Sequence, residues 1–98
     1  MEVKVNHKLA QQEAYQKAQR MMSELKAEYG DQVQNLKEEW DGKNGKYSCN
    51  FKGMKFSGTI EVTDSNVIVK GKVPFFALPF TGMIEDAVRK NVEKALRK

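Results

Sequence analysis

The sequence predicts an α+β fold in which a small antiparallel sheet of four to five strands has one face covered by two helices. Two neighbouring segments between residues 46 and 63 alternate strictly between apolar and polar residues, as strands with one dry and one solvated face do. A longer segment on each side of them repeats apolar residues at helical spacings of three and four. We therefore expect the order β-α-β-β-β-β-α within a single domain, 1–98.

The first half of the chain is expected to contain a short strand, a long helix and a weaker strand. Residues 2–6 alternate and place two valines on one face. The helix that follows should end at Gly30 in a left-handed conformation. A strand over about 33–40 then leads to the turn-rich segment 41–45. The apolar stripe of the helix consists of Ala10, Ala14, Ala18, Met21, Leu25 and Tyr29.

The two alternating segments also predict the register of the sheet. A two-residue Lys52-Gly53 turn would place Phe51 opposite Met54 and keep apolar partners on the same face. A four-residue turn after Val62 would likewise set it opposite Val67. The dry face of the first segment carries Tyr47, Cys49 and Phe51.

The same register places Gly58 between Tyr47 and Gly71. Two adjacent glycines leave a shallow place in a sheet, either because a helix packs closely there or because a small pocket opens. Close helix packing is the interpretation we favour. A shallow pocket at Gly58, Gly71 and Tyr47, under the last helix, is the alternative, and it could hold a lipid or hydroxyacyl group.

Aromatic residues and prolines cluster just before the last helix, where Phe75, Phe76, Leu78 and Phe80 lie close to both prolines of the chain. Such a segment either fills the core or offers an apolar contact surface to a partner. Because proline interrupts regular structure, we expect Phe75 and Phe76 to diverge, one inward and one outward. The last helix should begin near Phe80. Its predicted buried stripe is Ile84, Ala87, Val88, Val92, Ala95 and Leu96.

Few residues point to catalysis. The single histidine, His7, lies at a strand-to-helix junction, where a solvated loop residue is expected rather than a metal ligand or a general base. Cys49 should be buried among aromatic residues, where a thiol is a poor nucleophile. We therefore expect no enzymatic activity, no cofactor and no metal site.

Nucleic-acid binding is a further hypothesis, because several lysines can project from the wet face of the sheet. That face lacks the aromatic side chains on which bases stack in RNA-binding sheets. With a net charge of only +4, a solvated basic face is the favoured interpretation, and nucleic acid is not an expected partner. The lysines are Lys46, Lys52, Lys55, Lys70 and Lys72.

Cysteine content and hydropathy suggest a compartment. The chain has one cysteine, no apolar run long enough to cross a bilayer, and no apolar stretch of the signal-peptide type near its start. A cytoplasmic protein without a transmembrane segment is expected. The oligomeric state stays open.

Four short segments together resemble a known family over nearly the whole chain. They are Leu9 with Glu13-Ala14, the helix end Glu28-Tyr29-Gly30, the strand Gly58-Thr59-Ile60-Glu61-Val62, and the helix start Leu78-Pro79-Phe80-Thr81-Gly82-Met83-Ile84-Glu85. The family is that of putative polyhydroxyalkanoic acid system proteins. The chain departs from it at Ala10, where a capping serine or threonine is usual.

The resemblance implies a bacterial cytoplasmic protein encoded near genes for polyhydroxyalkanoate synthesis and granule proteins, and it offers no catalytic residue to carry over. The expected function is that of a noncatalytic accessory protein that contacts the polyester granule surface or a granule-associated protein. The segment best suited to that contact contains Phe75, Phe76, Leu78 and Phe80. Binding of a small hydrophobic ligand is the alternative.

Overall fold

The computed structural model describes residues 1–51 and 53–97 and confirms the predicted α+β class and order of elements. Within these residues, a short 3-10 helix between the last strand and the last helix is added to the predicted elements. The elements are β1 (Glu2–Asn6), α1 (Gln11–Glu28), β2 (Val33–Asp41), β3 (Asn44–Phe51), β4 (Met54–Val62), β5 (Asn66–Lys72), the 3-10 helix (Phe75–Phe80) and α2 (Thr81–Arg97).

The five strands form one open antiparallel sheet in the order β1-β5-β4-β3-β2. Strands β2 to β5 follow one another as a meander, and β1 adds to the free side of β5. The predicted pairs Phe51 with Met54 and Val62 with Val67 are both confirmed. In the turn between β3 and β4, Lys52 lies outside the described residues, and Gly53 adopts a φ of 78°, which glycine tolerates best.

The core lies between the helices and the part of the sheet formed by β1, β5 and β4. Small side chains of α1, Ala14 and Ala18, are buried there and let the helix backbone approach the sheet. Strand β2, outside this part of the sheet, contacts α1 through an aromatic pair. Trp40 packs edge-to-face on Tyr15 of α1 with 5.3 Å between ring centroids. The buried cluster consists of Val3, Val5, Ala14, Ala18, Met21, Met22, Ile60, Val62, Val67, Val69 and Val92.

Several expectations about the ends and buried faces of the helices are wrong. Gly30 does not have a positive φ, because the chain leaves α1 through a tight turn in which the amides of Gln32 and Val33 both donate to the Tyr29 carbonyl, at 2.8 and 2.7 Å. Ala10 and Tyr29, at the two ends of the predicted α1 stripe, are exposed and flank the helix rather than belonging to it, and Ala87 is exposed rather than part of the buried stripe of α2. Neither helix of the described chain is both long and apolar enough to cross a membrane.

Candidate functional site

The aromatic segment before α2 lies on the surface. Phe75 is 86% exposed and Phe76 is 64% exposed, and Leu78, Phe80 and Met83 are each more than half exposed. These five side chains are called the apolar patch below. The prediction that Phe75 and Phe76 diverge, one inward and one outward, is therefore wrong.

The geometry of the 3-10 helix explains why both phenylalanines face solvent. The helix begins after Pro74, whose carbonyl accepts a hydrogen bond from the Ala77 amide at 2.9 Å. With three residues per turn, Phe75 and Phe76 cannot lie on the same side of the helix as Ala77. Ala77 takes the inward position and is buried, so Phe75 and Phe76 are left outside.

A second apolar feature, called the apolar cavity below, lies between α1, α2 and the dry face of the sheet. Its volume is about 210 Å³, and its lining is almost entirely apolar. The lining residues are Met21, Met22, Leu25, Tyr29, Val33, Leu36, Tyr47, Cys49, Ile60, Val69, Val88, Asn91 and Val92.

The few polar groups of the apolar cavity are weakly acidic or neutral. Cys49 is half-buried rather than fully buried as expected, and this burial raises the pKa of its thiol above the ordinary value. Burial, followed by the neighbouring Cys49, raises the pKa of Tyr47, whose hydroxyl donates to the Lys70 carbonyl at 3.3 Å. The side-chain amide of Asn91 donates to the Ala87 carbonyl at 2.8 Å. Cys49 and Tyr47 thus stay protonated at neutral pH, which makes neither a ready nucleophile.

Tyr47, Gly58 and Gly71 lie side by side across three strands. The Tyr47 hydroxyl would be 2.6 Å from a Cβ on Gly58 and 2.7 Å from one on Gly71, so the Tyr47 side chain lies over both glycines. The interpretation that a helix packs closely here is wrong, since the nearest atoms come from Tyr47, Met1 and the neighbouring strands. The three residues border an open depression of about 520 Å³, and the glycines do not line the apolar cavity.

His7 is buried, not solvated as expected, with 9% of its surface exposed. Its Nδ1 accepts a hydrogen bond from the Leu9 amide at 3.1 Å. The ring proton must therefore be on Nε2, which donates to the Thr63 carbonyl at 3.0 Å. His7 joins the start of α1 to the turn after β4, and both ring nitrogens are occupied. Over residues 1–51 and 53–97, no group of three or more histidine, cysteine or acidic side chains is placed to hold a metal ion.

The solvated face of the sheet is mixed in charge. Lys46, Lys55, Lys70 and Lys72 are exposed, and Lys52 lies outside the described residues. Acidic residues alternate with them: Glu39 pairs with Lys46 across β2 and β3, and the Glu2 carboxylate lies 4.0 Å from the Lys70 ammonium group. Among the residues that the structure describes, basic side chains of this face thus have acidic neighbours, unlike the clustered lysines and arginines typical of nucleic-acid interfaces.

Nearly the whole chain matches a known family. The model described as "Putative polyhydroxyalkanoic acid system protein" matches residues 1–96. The chain belongs to this family. The match includes all five strands, the apolar patch and nearly all of α2, and it confirms the resemblance seen in the sequence. No curated protein and no solved structure matches the chain.

Two features of this polyhydroxyalkanoic acid system protein were not predicted. Met83 extends the apolar patch by one helical step from Phe80, and helical spacing in α2 already places it opposite the buried Val92. A shallow pocket was expected at Gly58, Gly71 and Tyr47, whereas the apolar cavity lies between α1, α2 and the sheet and is lined by Tyr47 but by neither glycine. Asn91 is its most polar lining residue, and no local pattern in the sequence marks it.

Proposed function

We propose that the chain is a noncatalytic accessory protein of polyhydroxyalkanoate metabolism that acts in the cytoplasm by direct contact with the surface of polyester granules. The exposure of the apolar patch is the observation that supports this most strongly. Soluble monomers rarely expose large contiguous apolar surfaces, and such surfaces usually mark interaction sites. A polyester granule is an apolar phase in water, so covering the patch with it is favourable.

The apolar patch exposes enough apolar surface for its burial against a partner to drive docking. Transferring a whole phenylalanine side chain from water contributes ~1.5–3 kcal/mol. Because Phe75 and Phe76 are still 86% and 64% exposed, most of that contribution remains available to a partner. Loss of either side chain should then weaken binding about tenfold, since ~1.4 kcal/mol corresponds to a factor of ten.

The backbone that carries the apolar patch is restrained before any contact is made. Pro74 and Pro79 each have φ fixed by their ring. The Thr81 hydroxyl donates to the Leu78 carbonyl at 2.7 Å, at the junction with α2. A restrained segment loses little conformational entropy on binding, which favours docking.

A noncatalytic role is supported by the protonation of Cys49 and by the hydrogen bonds of His7. The Cys49 thiol has a raised pKa because it is partly buried. Both ring nitrogens of His7 are engaged with backbone groups, so the ring is used for structure. The mixed charge of the sheet face gives no support to nucleic-acid binding.

Cosedimentation with purified polyester granules tests this proposal. The wild-type protein should pellet both with native granules and with granules stripped of protein. Phe76→Ser should lower the affinity about tenfold, whereas Tyr29→Ser, which removes an exposed aromatic side chain outside the apolar patch, should pellet like the wild type. If the protein pellets only with unstripped granules, its partner is a granule protein and not the polyester. Failure to pellet with either would refute the proposal.

A further inference from the structure

We infer that the apolar cavity is a binding site for the uncharged alkyl portion of a medium-length acyl group. The inference is separate from granule contact, because the apolar cavity and the apolar patch share no residue. Protein interiors contain few voids larger than a water molecule. An opening of about 210 Å³ between two helices and a sheet therefore exceeds ordinary packing imperfection.

The volume limits the length of the ligand. An apolar cavity of ~150 Å³ accommodates benzene, which has six carbon atoms. By proportion, the volume of about 210 Å³ accommodates an alkyl group of about eight carbons. Met21, Met22 and Leu25 form one wall, and the unbranched methionine side chains can adjust to a chain that differs slightly in shape.

The chemistry of the lining selects for an uncharged ligand. No charged side chain lines the apolar cavity in the described part of the chain. A carboxylate placed there would lose its hydration without a counter-ion, and this penalty is large. The raised pKa of Cys49 is consistent with the dry surroundings.

Two side chains can bind the polar end of such a ligand. Asn91 is exposed, one N–H of its Nδ2 donates to the Ala87 carbonyl, and its Oδ1 can accept a hydrogen bond from a hydroxyl group. Tyr29 is also exposed, and its hydroxyl can donate to a carbonyl oxygen. A hydroxyl that donates to Asn91 and a carbonyl oxygen that accepts from Tyr29, on an uncharged alkyl chain, are the groups that an esterified hydroxyacyl group carries.

Titration with simple alcohols tests the inference without knowledge of the natural ligand. The probes are 1-butanol, 1-hexanol and 1-octanol, with octanoate as the charged counterpart. Binding is followed by NMR of methyl-labelled methionine, in which Met21 and Met22 report on the apolar cavity and Met83 on the apolar patch. We expect saturable shifts at Met21 and Met22, an affinity about fourfold higher for each added methylene (~0.8 kcal/mol per buried CH₂), and at least tenfold weaker binding of octanoate than of octanol.

A matched pair of variants assigns the site. Val88→Phe places a large ring in the apolar cavity and should reduce octanol affinity at least tenfold, whereas Ala87→Phe adds the same ring to the exposed surface and should leave affinity unchanged. If Val88→Phe does not fold, the site is assigned in the wild-type protein instead. Bound octanol should then slow the reaction of Cys49 with an alkylating reagent. Absence of saturable shifts up to the solubility limit, or equal effects of the two variants, would overturn the inference.

The two proposals can fail separately. Phe76→Ser should bind octanol normally, and Val88→Phe should still pellet with granules. Octanol binding that is lost in Phe76→Ser would place the alcohol on the apolar patch and contradict the assignment to the apolar cavity.

Discussion

Replacing Gly58 with alanine should destabilise the protein, because the added methyl group has no room. An ideal Cβ on Gly58 would lie 1.9 Å from the Lys70 carbonyl oxygen, 2.6 Å from the Tyr47 hydroxyl and 2.7 Å from the Gly71 Cα. Two of these three atoms belong to the backbone of β5 and cannot rotate away. Overpacking costs ~1–3 kcal/mol, which outweighs the ~0.4–1 kcal/mol that glycine-to-alanine changes gain by restricting the unfolded chain.

Thermal unfolding followed by circular dichroism measures this loss. For a domain of this size each kcal/mol changes the midpoint by ~4–8 °C, so Gly58→Ala should unfold several degrees below the wild type. Gly82→Ala is the matched control, since no atom lies within 4 Å of its ideal Cβ, and it should be neutral or slightly stabilising. A Gly58→Ala protein as stable as the wild type would refute the packing of Tyr47 and β5 described above.

Three further predictions concern single side chains. Ala10→Ser should raise stability by ~0.5–2 kcal/mol in urea denaturation, because no side chain caps α1 at Ala10, and an unchanged midpoint would contradict this. His7→Ala should leave the Leu9 amide and the Thr63 carbonyl unpaired and lower the free energy of unfolding by ~1–3 kcal/mol for each of them. A decrease under ~0.5 kcal/mol would show that water replaces the ring. Because its pKa is raised, the Cys49 thiol should alkylate more slowly than free cysteine at neutral pH and accelerate only at alkaline pH; a rate equal to that of free cysteine at pH 7 would refute this.

The register of the central strands could be predicted because alternation is a local property. A shift of one residue between β3 and β4 would put Cys49 and Phe56 on opposite faces of the sheet, so one register keeps both on the dry face. The same logic placed Tyr47 beside Gly58. It could not show that the tyrosine side chain, rather than a helix, covers the glycine.

Features that depend on distant contacts could not be predicted. His7 is buried because the Thr63 carbonyl, on a turn 56 residues away, accepts its Nε2 proton. Phe75 and Phe76 share one environment because the segment forms a 3-10 helix with Ala77 inward, a conformation that two prolines permit but do not specify. The apolar cavity requires α1, α2 and the sheet to meet, and no single segment encodes it.

Adsorption to a film of pure polyester decides whether the apolar patch is a docking surface. The film contains no granule protein. The mass of protein adsorbed on it, measured over a range of protein concentrations, gives the affinity of the folded chain. The wild type should adsorb saturably, and the double variant Phe75→Ser/Phe76→Ser should adsorb at least a hundredfold more weakly, the product of two losses of about tenfold. Both proteins should have the same thermal midpoint, because surface substitutions rarely change stability by more than ~0.5 kcal/mol. Equal adsorption of the two proteins, or no adsorption of the wild type, would contradict contact with the polyester through this surface.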